Sequence, residues 1–307
     1  AGRASASPPP PTAPATPAWG EVQLARRPDR PTALDYTAHL CPGFVELHGD
    51  RVSSDDPGVV CGVGSLDGQT VMVVAHQPSR ASGHGLLGPE GLRKAQRAMR
   101  LAAKFRIPLL ALIDTPGPAT TLEAEERGVG PAIATTIATM VGLPIPTVAV
   151  VIGQGGQEAA LAFAVADQLL MLQHAFLTPI SPEGAAALMF RDTARVEEAA
   201  QALHLTASDC LERGLIDGVV PEPPEGAHSD PEGAARFLRQ ALVRSLRPLL
   251  RRSPDKLLKQ RYERFRRMGE YTSYFRTALA REVELLRSAQ SPPTPPRPSD
   301  AERTQKP

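Results

Sequence analysis

The feature that most constrains this chain is a series of short apolar strands, each ended by a Gly/Pro turn and followed by a helix. PLLALID (108–114) runs into TPGP and then into the helical stretch AEERGVGPAIATTIATMVG (124–142). IPTVAVVIG (145–153) runs into QGGQ and the small-residue helix EAALAFAVAD. LLMLQHAFLTPI (169–180) then runs into the helix opening SPEGAAALMF. Each strand is too apolar to face water on either side, and the intervening helices supply the cover. That order predicts an α/β fold built on a largely parallel sheet. Upstream, VVCGVGSLDGQTVMVVAHQ (59–77) places two β-branched runs around Asp67-Gly68, a hairpin signal. PEGLRKAQRAMRLAAKF (89–105) sets Leu92, Ala95, Met99 and Ala102 on one helical face, with Arg and Lys opposite and Pro89 in the first turn. The strand–turn–helix unit repeats, but no sequence period does.

Not all of the 307 residues have the composition of a core. Residues 1–17 and 290–307 are rich in Pro, Ala and Ser with almost no large apolar side chains, and are expected to be a disordered linker and a disordered tail. Between them, 18–230 reads as the α/β domain and 231–289 as a basic helical C-terminal extension. The net charge of +1 gives no electrostatic case for nucleic acid, and the Arg-rich region after Arg236 reads as a solvated helix face. Cys41, Cys61 and Cys210 are too far apart in sequence for a disulfide framework or a zinc site. The N-terminus lacks a signal peptide's basic start, apolar core and cleavage site, and no apolar run reaches membrane-spanning length. A soluble, cytoplasmic protein is expected. The start at Ala1 rather than Met, followed by a Pro-rich run, suggests a processed chain or an excerpt of a longer fusion.

Strand ends that open into helices are where α/β proteins place their sites. Exposed N–H groups and the positive end of the helix dipole both favour developing negative charge there. Three such places occur: Asp114-Thr115-Pro116-Gly117, Gln154 to Glu158, and Ser181-Pro182-Glu183-Gly184. The competing reading is that Gly and Pro serve backbone geometry alone. Gly155 and Gly156 match neither the phosphate-cradling P-loop nor the dinucleotide fingerprint, and neither a G-x-S-x-G elbow nor an HExxH is present. The seven histidines do not cluster with carboxylates; His76 and His84, in a Gly/Ser loop, read as loop or core histidines. AEERG is either a solvated helix start or a charged rim beside the site. These residues support a backbone-donor site with no obvious nucleophile, suited to enolate or oxyanion chemistry on a thioester or a ureido group.

A set of blocks in fixed order narrows this further. AWGEVQLARRPDRPTALDY, FVELHGDR, DDPGVVCGVGSLDGQTVMVVAHQ, PEGLRKAQRAM, FRIPLLALIDTPG, AEERG, VIGQGG, ISPEG and GLIDGVVPEPPEGAHSDPE follow one another, with LLKQRYERFRRMG beyond them. Together they closely resemble the carboxyltransferase alpha subunit of bacterial acetyl-CoA carboxylase, over about residues 18–268. The resemblance implies a crotonase-like superhelix of repeated ββα units. It implies a beta-subunit partner that carries a zinc ribbon and most of the acyl-CoA pocket. Biotin carboxylase and a separate biotin carboxyl carrier protein would complete the assembly. Carboxybiotin is then a cosubstrate and not a bound cofactor. In keeping with that division, the chain has no AMKM-like biotinylation motif, no Cys₄ zinc pattern and no ATP-binding signature. The family reaction moves a carboxyl group from carboxybiotin to acetyl-CoA, giving malonyl-CoA, with backbone amides at a Gly-Gly step holding the ureido oxygen.

Four departures from the family pattern accompany the resemblance. The family's GEGGSGGALA is GQGGQEAALA here, so Gly155 and Gly156 are kept while Glu158 and Ala159 replace the second glycine pair. The resemblance places the oxyanion-hole N–H groups on Glu158 and Ala159. It places carboxybiotin or substrate contacts at Gly155, Gly156, Gln157, at Asp114 to Gly117 (including Thr115 and Pro116), and at Ser181 to Gly184 (including Pro182 and Glu183). The Glu158 carboxylate either turns inward, where it would repel a ureido anion, or outward, where it suits a helix N-terminus. A Lys/Arg-rich segment after His76 is shortened to PSRASGHGLLG, with Arg80 its one remnant; DTPGAYPG becomes DTPGPATT; and a Pro-rich run replaces an N-terminal helical segment. Three expectations follow. One is an alpha-type subunit active with its partner. The second is a divergent decarboxylase, hydratase or hydrolase of acyl thioesters with Glu158 as acid/base. The third is a catalytically degenerate structural paralogue.

Overall fold

In the computed structural model, residues 17–78 and 85–269 are described. The Pro-rich segment up to residue 16, the tail from 270, and residues 79–84, which include Arg80 and His84, lie outside them.

The chain opens with two short helices, α1 (Ala18–Ala25) and α2 (Ala33–Leu40). α2 starts at a capping box, in which the Thr32 hydroxyl accepts from Asp35 N while the Asp35 carboxylate accepts from Thr32 N at 2.7 Å. A two-residue strand, β1 (Val45–Glu46), then pairs antiparallel with β2 (Val59–Leu66), which forms the expected hairpin with β3 (Gln69–His76). The turn residues Asp67 and Gly68 have φ of 52° and 79°, the left-handed pair that a type I′ turn requires. Helix α3 (Pro89–Phe105) follows, with Leu92, Ala95, Met99 and Ala102 fully buried.

The parallel part of the sheet comes next. β4 (Leu109–Thr115) pairs with β3, and β5 (Thr147–Gly156) pairs with β4. Between them lie α4 (Leu122–Glu126) and α5 (Val129–Val141). α6 (Gln157–Ala164) leads to β6 (Gln168–Leu172), β7 (Phe176–Thr178), α7 (Pro182–Phe190), α8 (Val196–Leu203), α9 (Ala207–Glu212) and β8 (Gly218–Val220). The sheet order is β1-β2-β3-β4-β5-β6-β8, with β7 branching off to pair with the C-terminal end of β5. Every residue of β4 is buried, as the uninterrupted apolar run requires of a strand covered on both faces.

Three local expectations change. The helical stretch 124–142 is two helices, because Gly128 takes a left-handed φ of 81° and ends the first one. The apolar run 169–180 is two strands; the chain turns at Gln173-His174 so that β7 leaves β6 and joins β5. His76 ends β3 and is not in a loop. Its ring is buried and stacks on Phe163 of α6 at 4.1 Å, and burial pushes its pKa down to about 3.

Two C-terminal helices, α10 (Pro231–Leu249) and α11 (Pro254–Arg267), complete the described chain. Leu238, Leu242, Leu246 and Leu249 of α10 pack into the same core as the sheet, while Arg236, Arg244 and Arg247 face solvent. Arg261 of α11 departs from that solvated pattern. It is 1% exposed and donates to the Asp167 carboxylate at 2.8 and 2.9 Å, and to the carbonyls of Met140, Val141, Leu143 and Ile145. A distant guanidinium thus satisfies carbonyls left over at the end of α5. Among the described residues no helix is long and apolar enough to cross a membrane, and no group of three His, Cys, Asp or Glu side chains is arranged to hold a metal ion.

Candidate functional site

The first two strand-to-helix turns meet at the C-terminal ends of β4 and β5. Thr115 pairs with Gly155 after a register shift in the β4–β5 ladder. Asp114, 1% exposed, accepts from Gln154 N at 2.8 Å, so its carboxylate braces the backbone just before the glycine pair. A Cβ on Gly153 would sit 2.4 Å from that same carboxylate. A Cβ on Gly156 would meet Pro116 O at 2.2 Å and Thr115 O at 2.8 Å, both backbone atoms that cannot swing aside. Glycine is required at 156 by this close approach of two main chains. On the other flank, β7 pairs Leu177 with Gly155 and Thr178 with Gly156.

The turn itself is strained at one point. Gln157, the first residue of α6, has φ 56°, a conformation rare for a residue with a Cβ. Its side chain lies across the neighbouring turn, with Nε2 donating to Pro116 O at 3.4 Å and standing 2.8 Å from where a Cβ on Gly117 would be. Gly117 has φ 149° and its N–H donates to Thr115 Oγ1 at 3.2 Å. The N-cap of α6 is Gly156, and among the described residues no side-chain cap bond closes the helix start. The first-turn N–H groups, those of Glu158 and Ala159 included, have no acceptor within the helix. Glu158 is exposed on that first turn, where its charge suits the helix dipole, and Ala159 is fully buried.

The third turn joins through a residue the sequence reading did not single out. Ser181 caps α7, its Oγ accepting from Gly184 N at 3.1 Å, which leaves Glu183 on the first turn. Arg26, at the end of α1, holds Glu183 with two bonds of 2.5 and 3.2 Å and donates Nε to Gln154 Oε1 at 3.1 Å. Burial works to raise the Glu183 carboxyl, but the Arg26 bonds outweigh it and leave its pKa below the ordinary carboxylate value. A second such arginine, Arg30, donates to Ile152 O at 2.9 Å and pairs with Glu222. Both arginines lie in LARRPDRP, a string whose composition resembles any solvated loop. Its only sequence signal was membership of a block carrying the family resemblance.

All three turns therefore converge, through main-chain contact for the first two and through Arg26 for the third. Arg80 is the one predicted residue outside the described chain. AEERG forms the end of α4 and the turn after it, with Glu125, Glu126 and Arg127 exposed. The crevice between the β2–β3 turn and α10, lined by Leu66, Gly68, Gln69 and Leu250 among others, shares no residue with these turns.

Residues 15–269 match the family described as acetyl co-enzyme A carboxylase carboxyltransferase-like. The chain belongs to that family. A beta/alpha carboxyl transferase protein of Salinispora arenicola is 48% identical over 258 residues, which are 82% of this chain and 46% of that protein. An acetyl-coenzyme A carboxylase carboxyl transferase subunit alpha of Nitratiruptor sp. is 45% identical over 259 residues, covering 82% of this chain and 83% of that one. The chain thus spans about half of the fused relative and most of the separate subunit. A solved chain of the Pseudomonas malonate decarboxylase hetero-tetramer, 20% identical, has a TM-score of 0.59 and covers 83% of this chain and 98% of that chain. The shared fold is the crotonase-type arrangement that the resemblance implied. The relatives are named as carboxyl transferases, which does not favour a divergent thioester chemistry centred on Glu158.

Proposed function

We propose that this chain is the alpha-type half of an acetyl-CoA carboxylase carboxyltransferase and works with a beta-type partner, separate or fused. The reaction is carboxybiotin plus acetyl-CoA giving biotin plus malonyl-CoA. Carboxybiotin arrives on a carrier protein charged by a biotin carboxylase, and zinc belongs to the beta-type partner. The observation that carries the proposal is the uncapped start of α6, set directly after a glycine pair that is pressed against the Thr115-Pro116 backbone.

That geometry suits the chemistry physically. N–H donors of Glu158 and Ala159 at a helix start would bind the ureido oxygen as negative charge develops when the carboxyl group leaves. A backbone donor does not depend on its side chain, so Glu-Ala can replace Gly-Gly provided the Glu158 carboxylate turns away from the ureido oxygen, and the exposure of Glu158 in this chain leaves room for that. Asp114 and the Pro116 contact hold the loop before substrate arrives, so little reorganisation is needed at the moment of reaction. Carboxybiotin supplies the transferable carboxyl group; this chain's part is to hold and orient it and to exclude water. The names of the relatives support the assignment.

The test is biotin-dependent carboxyl exchange with malonyl-CoA, using the full chain co-expressed with its nearest beta-type partner. A Glu158→Gly/Ala159→Gly double variant is run beside it. Turnover by the natural sequence is the expected result. Turnover by the double variant alone would overturn the proposal, and so would the absence of turnover in both.

A further inference from the structure

We infer that Arg26 is a positioning residue for this site, a three-point clamp that sets the β5–α6 turn against the start of α7. The inference rests on the proposed carboxyltransferase function and names a residue that the function alone does not require.

Arg26 is the C-cap residue of α1, and its guanidinium uses its planar fork on two different turns. Nε donates to Gln154 Oε1 at 3.1 Å, while Nη1 and Nη2 donate to Glu183 Oε1 and Oε2 at 2.5 and 3.2 Å. Its Cζ also lies 5.7 Å from the centroid of the Phe176 ring and 5.9 Å from that of the Trp19 ring. Phe176 is the residue that pairs with Gln154 across β5 and β7. The clamp therefore grips Gln154 through its side chain, while Asp114 grips the same residue through its backbone N–H. Gln154 is the last residue before the glycine pair, so these two holds fix where the following N–H donors point. The Arg26 side chain keeps 30% exposure and Glu183 keeps 45%, so the clamp is a rim feature and not a core element. Its loss is expected to loosen the loop without unfolding the chain.

The experiment compares the natural chain with Arg26→Lys and Arg26→Met. Lysine keeps the charge but cannot reach three acceptors in one plane. The first readout is amide hydrogen exchange of the full chain over residues 154–160, with the thermal midpoint measured alongside. Both variants are expected to exchange about 10-fold faster there, with lysine no better than partly protected. The second readout is carboxyl exchange by the complex with its beta-type partner. There kcat is expected to fall by about 10- to 100-fold with KM for malonyl-CoA within about 2-fold of the natural value. Unchanged protection at 154–160 overturns the clamp. Faster exchange with unchanged kcat overturns its role in positioning. An inactive natural complex overturns the proposed function, and the positioning role with it, while the hydrogen-exchange result still decides the clamp.

Discussion

Arg30 and Glu222, 192 positions apart in sequence, form a bidentate ion pair of 2.8 and 2.6 Å in which both side chains are wholly buried. Arg30 Nε also donates to Ile152 O, and Glu222 also accepts from His174 N and Ala227 N at 2.9 and 2.7 Å. A pair taken out of water in this way is tolerated because each guanidinium nitrogen and each carboxylate oxygen has a hydrogen-bond partner. It ties the N-terminal segment, the C-terminal end of β5 and the loop after β8 into one node. That node lies immediately before the site's glycine run.

Breaking the node from one side leaves a buried charge without a partner. Glu222→Ala is expected to cost about 3–5 kcal/mol, read by urea unfolding at pH 7. Burial works to raise the Glu222 carboxyl, but Arg30 outweighs it and its folded pKa lies below the ordinary value. The stability it contributes is therefore complete above the unfolded carboxylate value, about 4.3, and is lost as pH falls through the lower folded value. Glu222→Gln should lack that acid-dependent portion. Identical acid profiles for the two chains would contradict this account.

At Gly156 the outcome is set by space. A methyl group there must displace the Thr115-Pro116 backbone, carrying with it the helix start that follows. Gly156→Ala is expected to lower carboxyl exchange by about 100-fold. The chain should remain folded, judged by circular dichroism and the thermal midpoint. Unchanged turnover would remove this loop from the mechanism.

How legible these features were in the sequence depended on how local their cause was. The hairpin at Asp67-Gly68 and the buried face of Leu92, Ala95, Met99 and Ala102 follow from turn chemistry and period, and both were readable. The meeting of the 114–117 and 154–158 turns was half readable. Parallel strands placed both turns at one edge, but only the register shift after Ile113 brings Gly156 against Pro116. The breaks at Gly128 and at Gln173-His174 were missed because a short polar interruption such as Glu125-Glu126-Arg127 or Gln173-His174 does not by itself end an element, while one left-handed residue or a new strand partner decides the path. Arg26, Arg30 and Arg261 were the least readable. Each finds partners more than 90 positions away, and nothing local separates a buried arginine from a solvated one.

Arg261 can be tested in the same spirit. Arg261→Met would strip partners from the carboxylate of Asp167, whose side chain is 4% exposed, and from four main-chain carbonyls. The expected cost is about 3–5 kcal/mol in denaturant unfolding. Arg261→Lys should recover only a minor part, because one ammonium cannot span acceptors arranged around a planar fork. Full recovery by lysine would mean that charge alone holds α11 in place.

His174 supplies a pH signature of opposite sign. Its Nδ1 lies 2.7 Å from Glu21 Oε2 in α1, with both side chains nearly buried. Burial works to lower the His174 pKa, yet the bond to Glu21 outweighs it and the net direction is upward. A raised folded pKa means that the contribution is complete below about 6.5, the unfolded value, and is lost as pH rises through the folded value. Unfolding stability should fall from pH 6 to pH 9 by more in the natural chain than in Glu21→Gln, read by urea unfolding at the two pH values. Equal differences would remove the charged form from the contact.

Glu158 offers the sharpest separation of chemistries. Were its carboxylate the general acid or base of a thioester reaction, Glu158→Gln would cost about 10²- to 10⁴-fold in turnover. The proposed use of backbone N–H donors predicts otherwise. Carboxyl exchange by Glu158→Gln is expected to stay within about 3-fold of the natural rate, since the N–H group is unaltered and only the favourable helix-dipole charge is lost. The measurement is initial-rate exchange in the complex, made beside Gly156→Ala. A large loss in Glu158→Gln would transfer the catalytic burden from main chain to side chain and reopen the thioester reading. A small loss beside an inactive Gly156→Ala would locate the chemistry in the loop's backbone.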